Sequence, residues 1–542
     1  FFSTPTPPTP MLRSLVGSEM CIRDRKYTIT TPLYYVNDKP HLGSSYTTIA
    51  CDAIARFERL NGNTVLFLTG VDEHGQKIER TAESKNLEPQ LHCDEITEKY
   101  KYLWDKLNIS YDRFVRTTSI EHTSLVHQFY SKVLKSNDVY MGRQSGWYCV
   151  GCEEYKDVED KDKSPICSIH KKELEWRDEE NLFFKLSKYQ DQIEKLIHVD
   201  GFISPKSRKN EIINFVSKGL RDFSISRVNL KWGINVPGNK DHTFYVWFDA
   251  LLGYVSGSLN DQSSPELTEK SLCNWPANIH VIGKDILRFH AVYWPAMLLS
   301  AGMKTPRSVF GHGFLTREGQ KMGKSLGNVL DPIELLEYGG IDAMRWYLLR
   351  DIEFGEDGDF QMRRFVDIVN SDLCNTIGNL LNRTITMSKK WFKGNIPIDN
   401  TLSSDSTLKV QSQKKIIEYM ESFKDSNFKS SANAIIDLAN SANLYLNDRA
   451  PWKLIKDISN KNVVALDIYS VLESCRIIGI LLNPIVPNLS NRILKQLNID
   501  TSNINFKDSL QWGLLDPNNG LQDPTPVMDK IEFNAVSYTH LT

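Results

Sequence analysis

Lys321 and Lys324, separated by Met322 and Gly323, sit in a stretch punctuated by Gly319, Gly323 and Gly327. Two cations in such a loop suit a polyphosphate whose negative charge grows during a reaction. A solvated basic turn would look the same by itself. Far upstream, Thr31-Pro32-Leu33-Tyr34-Tyr35-Val36-Asn37 leads into His41-Leu42-Gly43-Ser44. A strand running into a Gly-bearing helix start gathers free backbone N–H groups at the positive end of the helix dipole, which favours phosphate. His41 has the chemistry to donate to a phosphate oxygen. Gly43, with no side chain, would let a flat base approach the backbone. Most His-x-Gly triplets at helix starts are structural, so this motif decides nothing alone. A third group is Cys149-x-x-Cys152, then fourteen residues, then Cys167-x-x-His170. Three thiolates and an imidazole at that spacing are the donor set of a tetrahedral structural zinc site. The acids between the pairs (Glu153, Glu154, Asp157, Glu159, Asp160 and Asp162) read as a solvated loop rather than as further ligands.

These groups need a scaffold. Tyr27–Thr31 alternates like a strand, and Gly43–Leu60 carries Ile49, Ala53, Ile54, Phe57 and Leu60 at helical spacing up to the stop Asn61-Gly62. Val65–Leu68 is a second strand, and a helical stretch follows Glu88. This β-α-β start predicts a parallel sheet. The cysteine module interrupts it. The α/β pattern resumes with a strand at Ile279–Ile282, a helix from Lys284 to about Ala301 and a strand over Ser308–Leu315. From about Ser371 to Leu497 the period is helical nearly throughout.

Composition narrows the classes. With 41% hydrophobic and 24% charged residues in 542, the chain has enough apolar material for large cores, which excludes general disorder. The net charge of −2 excludes a binder held by bulk positive charge, but not a local nucleic-acid face. No apolar run is long enough to span a membrane. Nine unevenly spaced cysteines do not form a disulfide framework, which points to a reducing compartment and not to secretion.

In this order, about 280 residues apart, the His41 and Lys321 motifs resemble the HIGH and KMSKS signatures of class I aminoacyl-tRNA synthetases. Leu68-Thr69-Gly70-Val71-Asp72-Glu73-His74-Gly75, Tyr245-Val246-Trp247-Phe248-Asp249-Ala250, and Ile282-Gly283-Lys284-Asp285 with His290 and Trp294-Pro295-Ala296 resemble the methionyl-tRNA synthetases. The resemblance runs from about Lys26 to Leu497. It departs at two positions: Ser44 stands where the first signature has its second histidine, and Gly323 where the second has a serine. The serine at position 44 is familiar in the cyanobacterial and organellar branch.

The resemblance implies an α/β fold: a Rossmann-type parallel-sheet catalytic core with an inserted zinc-knuckle domain, then an all-α anticodon-binding helical bundle. It implies methionine activation by ATP to methionyl-adenylate, and transfer to the 3′ end of tRNA(Met), initiator included. His41, Lys321 and Lys324 would stabilise phosphate charge. ATP would be held by these with Gly43, Ser44, Gly283, Asp285 and Ser325, accompanied by Mg²⁺. Methionine would lie among Leu33, Tyr35, Trp247, Ala250, Tyr254, Ile286 and His290, its ammonium on Asp72. Asn379, Arg383, Pro451 and Trp452 would read the anticodon. Cys149, Cys152, Cys167 and His170 would hold a structural Zn²⁺.

The expected division is 26–139 and 234–320 for the two halves of the core, 140–233 for the insert, 321–370 for the KMSKS loop and stem-contact region, and 371–534 for the helical domain. Residues 1–25, with four Pro and three Thr in the first ten, and 535–542 resemble linker sequence foreign to the rest. The insert, about 95 residues long, is too short for an editing domain. Other class I synthetases without one, a catalytically silent tRNA binder and a nucleotidyltransferase are the alternatives. A monomer is expected, in an organelle matrix (plastid or mitochondrion) or in cytoplasm.

Overall fold

The computed structural model describes residues 26–151, 153–156, 165–167, 171–228, 230–261, 265–322, 328–397, 407–516 and 519–533. Its centre is a six-stranded, all-parallel sheet. Across it run Arg113–Arg116, β2 (Thr64–Asp72), β1 (Lys26–Tyr35), Ile279–Gly283, Val309–His312 and Ile203–Ser204. Ile29 faces Phe67 on one side and Ile279 on the other. The strand centres are buried on both faces, as a parallel sheet covered by helices demands.

Chain order runs one way from β1 through β2 and the other way from Ile279–Gly283, so the sheet switches direction between those neighbours. Ligands of open α/β sheets bind at the carboxyl ends of the strands, at such a switch. Tyr35, Asp72, Gly283 and His312 end their strands there.

Local sequence explains the departures from the expected elements. The helix expected from Lys284 is a 3₁₀ turn (Lys284–Ile286), a π turn (Phe289–Tyr293) and an α-helix (Trp294–Ser300). Pro295 has no N–H and its ring crowds the preceding turn, so the helix widens there and the Trp294 N–H reaches back to Phe289 O. The strand expected over Ser308–Leu315 breaks at Gly313. A Cβ there would lie 2.2 Å from Glu356 O, and the chain passes into a second sheet at Leu315–Arg317.

Within the expected insert, Val139–Cys149 and Glu175–Phe184 form a long antiparallel pair flanked by Glu154–Lys156 and Phe223–Ser224. The chain between them also contributes Ile203–Ser204 to the edge of the central sheet, beside Val309 and Phe310.

The helical part comprises Asn379–Phe392, Thr407–Lys424, Phe428–Arg449, Lys461–Leu482 and Pro487–Gln496. It shares one continuous hydrophobic core with the sheet. On α1 (Leu42–Leu60), Phe57 stacks on Phe423 with ring centroids 4.3 Å apart. Also on α1, Asp52 forms a fully buried ion pair with the helix Ile341–Arg350, Arg345 Nη2 to Asp52 Oδ2 at 2.6 Å. Arg345 also donates to the carbonyls of Ile485, Pro484 and Leu107. Asp52 Oδ1 accepts from the Ser110 amide and hydroxyl. Burial would raise the Asp52 carboxyl, but Arg345 and Arg56 hold it below the usual range.

Candidate functional site

One end of the expected site is built on the first turn of α1. His41 is its N-cap, and Nδ1 accepts from the amides of Gly43 (3.0 Å) and Ser44 (3.4 Å). A nitrogen that accepts two N–H bonds carries no proton, so the imidazole is held neutral with its hydrogen on Nε2, on an exposed ring. Gly43 makes this possible, since a Cβ there would meet the ring at 2.9 Å. Ser44 closes a capping box: its hydroxyl accepts from the His41 amide (3.0 Å) and donates to the His41 carbonyl (2.7 Å). The single Ser44 proton is therefore used on His41, and the residue is buried. Beneath, Thr47 donates to His312 Nε2 at 2.7 Å, and the other ring nitrogen donates to Gly313 O. Lys321 closes a short strand, Gln320–Lys321, paired with Leu315–Arg317. Lys324 and Ser325 lie outside the described residues.

The other end begins at Asp72, in register with Tyr35 across β1 and β2. Asp72 is 7% exposed, and its Oδ1 is buried with no hydrogen-bond partner among the described residues. Burial first, then the nearby carboxylates of Asp249 and Glu153, push its pKa well up. Asp249 stays ionised, down at about 2 despite burial, between His74 (2.6 Å) and His122 (2.7 Å). The Asp72 carboxylate thus lacks a cation, and the site is prepared for a ligand that brings one.

An apolar wall faces it. Trp247, Ala250 and Tyr254 lie on the helix Val246–Ser258 at spacings of three and four, one face. Leu33, Trp247, Tyr254 and Ile286 belong to one apolar cluster. The Trp247 ring stacks on Phe289 at 4.0 Å and meets His290 edge-on at 6.3 Å. His290 is buried, and its pKa falls to about 4 through desolvation. Its Nδ1–H donates to Ile286 O (3.0 Å), which leaves Nε2 to accept from the Tyr254 hydroxyl (2.8 Å). With both ring nitrogens satisfied, this neutral imidazole completes an aromatic wall that suits an uncharged side chain. The exposed Asp285 carboxylate folds over Gly283, where a Cβ would lie 2.6 Å from Asp285 Oδ1.

Sequence reading missed three residues of this site. Phe289 forms half of the Trp247 stack. Arg227 is 5% exposed, with its guanidinium 4.1 Å from the Tyr245 ring centre. Glu153 corrects the solvated-loop reading of the acidic run: it is 5% exposed and accepts from the Tyr35 hydroxyl at 2.8 Å. A long-range partner draws it inward, which no local pattern records.

Of the four expected zinc ligands, Cys152 and His170 lie outside the described residues. Cys149 and Cys167 are buried in one small cluster with Leu174. Lys171, at φ +54, turns the chain back so that its amide reaches Cys167 O. A strand-end cysteine and a turn cysteine buried in one cluster supply two of the four donors that such a zinc site uses; among the described residues no group of three or more ligating side chains forms.

In the helical part, Asn379 and Arg383 are exposed one turn apart. The Arg383 guanidinium lies 5.8 Å from the Trp452 ring centre and donates to Asn447 Oδ1 at 3.1 Å. Ala450, in the left-handed region, ends the preceding helix, and buried Pro451 starts the next turn, which leaves Trp452 38% exposed.

A family model described as "tRNA synthetases class I (M)" matches residues 27–160 and 156–385. One described as "Anticodon binding domain of methionyl tRNA ligase" matches 397–538. Over 523 residues the chain is 50% identical to the Methionine--tRNA ligase of Synechocystis sp., covering 94% of this chain and 98% of that protein. The "Methionine--tRNA ligase, chloroplastic/mitochondrial" of Arabidopsis thaliana is 45% identical over 514 residues, 94% of this chain and 83% of that one. The structure of Mycobacterium tuberculosis methionyl-tRNA synthetase in complex with methionyl-adenylate aligns with a TM-score of 0.87 at 36% identity, covering 93% of this chain and 99% of that chain. Matched over most of its length by these models and relatives, and built around the switch point of one parallel sheet, the chain belongs to the class I methionyl-tRNA synthetases.

Proposed function

We propose that this chain activates L-methionine with ATP and transfers it to tRNA(Met), initiator and elongator alike. The Asp72 carboxylate, whose buried Oδ1 has no partner among the described residues, carries the reading. It faces an apolar aromatic wall and shares the strand ends with the helix start at His41. Asp72 takes the substrate ammonium, and Leu33, Tyr35, Trp247, Ala250, Tyr254, Ile286 and His290 enclose the thioether side chain. ATP lies across the switch point, its adenosine close to Gly43 and Gly283 and its ribose on Asp285.

The methionine carboxylate, already ionised at neutral pH, attacks the α-phosphate. The bond to the pyrophosphate oxygen breaks, and pyrophosphate leaves with the electron pair. No general base is needed, so the protein contributes position and charge. His41 donates through Nε2–H, Lys321 and Lys324 neutralise the growing charge, and Ser325 helps hold the nucleotide. Ser44 acts through His41 by holding its cap. A terminal hydroxyl of tRNA then displaces AMP from the adenylate.

Mg²⁺ accompanies ATP as a counter-ion. Cys149, Cys152, Cys167 and His170 hold a structural Zn²⁺, whose closed shell cross-links the insert. The domain division at 26–139, 140–233, 234–320, 321–370 and 371–534 stands on the same footing, as does a monomer. Among the described residues no helix is long and apolar enough to cross a membrane. The cyanobacterial and plant organellar relatives support a bacterial-type enzyme of an organelle matrix or of cytoplasm.

Amino-acid-dependent ATP–pyrophosphate exchange tests the reading. Methionine is expected to stimulate it most among the twenty amino acids. Stimulation by leucine, or by none, refutes the proposal.

Asn379, Arg383, Pro451 and Trp452 form the anticodon end, where a splayed base stacks on the exposed indole. Base–aromatic stacking is worth about 1–3 kcal/mol. Trp452→Ala is therefore expected to lower kcat/KM for tRNA charging by about 5- to 150-fold, with pyrophosphate exchange unchanged. Equal loss in both assays would rule out a role in tRNA reading.

A further inference from the structure

The loop after β2 leads from Asp72 to α2 (Gln76–Ser84). The N-cap of α2 is Gly75, at φ +116, and it provides no side-chain cap. A Cβ at Gly75 would lie 2.6 Å from both the Glu153 carboxylate and the Tyr35 hydroxyl, so position 75 cannot carry its own capping group. Glu153, 78 positions further along the chain and next to the first cysteine pair, supplies one. Its Oε1 accepts from the Lys77 amide (3.0 Å) at the second position of α2, and from the Tyr35 hydroxyl (2.8 Å). Helix starts leave such amides without intrahelical partners, and a side-chain oxygen on them fixes the entry of the chain.

Two further contacts seat the same loop from the insert side. Arg177 donates to Gln76 Oε1 at 2.6 Å, and the Gly75 amide donates to Trp232 O at 3.1 Å. Three points of the insert thus hold three consecutive residues, 75 to 77, in the loop that follows the ammonium-binding position. One of the three also grips a pocket residue, Tyr35.

We propose that Glu153 is a positioning residue of the methionine site. By capping α2 from the insert and orienting the Tyr35 hydroxyl, it fixes the Tyr35 ring and the loop after Asp72, and hence the affinity for the amino acid. The seating of the cysteine-bearing insert on the core then controls methionine binding and leaves ATP binding alone, because among the described residues Glu153 is hydrogen-bonded to Tyr35 and Lys77 and not to His41 or Gly283. The inference rests on the methionine reading of the pocket.

The test is pyrophosphate exchange with methionine and ATP titrated separately. Glu153→Ala leaves a hydroxyl and an amide without their acceptor and is expected to raise KM for methionine by about 10- to 100-fold. KM for ATP should stay within about threefold. Glu153→Gln keeps an acceptor oxygen and should recover most of the loss. Tyr35→Phe, which removes one donor and leaves the fold alone, should raise KM for methionine in the same direction and make the further change Glu153→Gln silent. The proposal fails if Glu153→Ala leaves KM for methionine unchanged, or if it shifts methionine, ATP and kcat together without rescue by Gln. Wild-type protein that exchanges with no amino acid refutes the pocket reading itself, and this inference with it. Wild-type exchange with methionine alongside an indifferent Glu153→Ala refutes only this inference.

Discussion

Asp72→Ala will raise KM for methionine in pyrophosphate exchange by roughly 10²- to 10³-fold and leave KM for ATP within a few-fold. Removing one partner of a buried charge pair leaves the other desolvated and uncompensated, a loss of about 3–5 kcal/mol. Here the partner is the substrate's own ammonium, so the cost falls on binding rather than on folding. A change confined to kcat would sink the assignment.

The same geometry predicts a gain elsewhere. In the free protein, burial and the carboxylates of Asp249 and Glu153 push the Asp72 pKa well up. A carboxyl whose folded pKa is raised costs stability. That cost is zero below the unfolded value of about 4 and grows as pH rises through it toward the folded pKa. Asp72→Asn, which removes the charge and keeps the shape, is therefore expected to melt higher than wild type at neutral pH while binding methionine poorly. Stability traded for function at one carboxylate is the signature of a site, and a lower melting temperature for Asp72→Asn would count against it.

Arg345→Met is the second large effect, and it is structural. It strands Asp52 at 0% exposure without its main cation and leaves three carbonyls without a donor. The expected cost is about 3–5 kcal/mol, read as a fall in the thermal midpoint at neutral pH. Adding Asp52→Asn should return part of it, since the stranded charge goes. Because the Asp52 carboxyl is held below its usual range, its contribution is complete above an unfolded pKa of about 4 and disappears as pH falls through the folded value. The gap between wild type and Arg345→Met should therefore narrow in acid. A gap of constant size from neutral pH down to about pH 3 would show that packing, not the ion pair, carries the effect.

How much of this was legible in the sequence varies with the range of the contacts. His41 and Gly43 could be placed at a helix start because a cap and its helix are adjacent in the chain. Trp247, Ala250 and Tyr254 share a face by period alone. The parallel sheet followed from β-α-β spacing. Glu153, Arg227 and Arg345 were not legible, since each is defined by a partner distant in sequence. Glu153 looked like one more acid in a charged run until the Tyr35 hydroxyl gave it a reason to be buried. The π turn at Phe289 needed the geometry of Pro295 against a site wall, which periodicity does not contain. Ile203–Ser204 was hidden because two residues on a sheet edge leave no pattern.

The core common to the sheet and the helices also dictates how the chain is made. Phe57 emerges from the ribosome about 370 residues before Phe423, the ring that covers it. At about 5–20 residues per second that interval is roughly 20–75 s. Over that interval the chain lacks the ring that covers Phe57, and until Arg345 is made Asp52 also lacks its main cation. The nascent chain therefore carries this part of α1 uncovered for the better part of a minute, a surface suited to a holding chaperone until the later helices arrive.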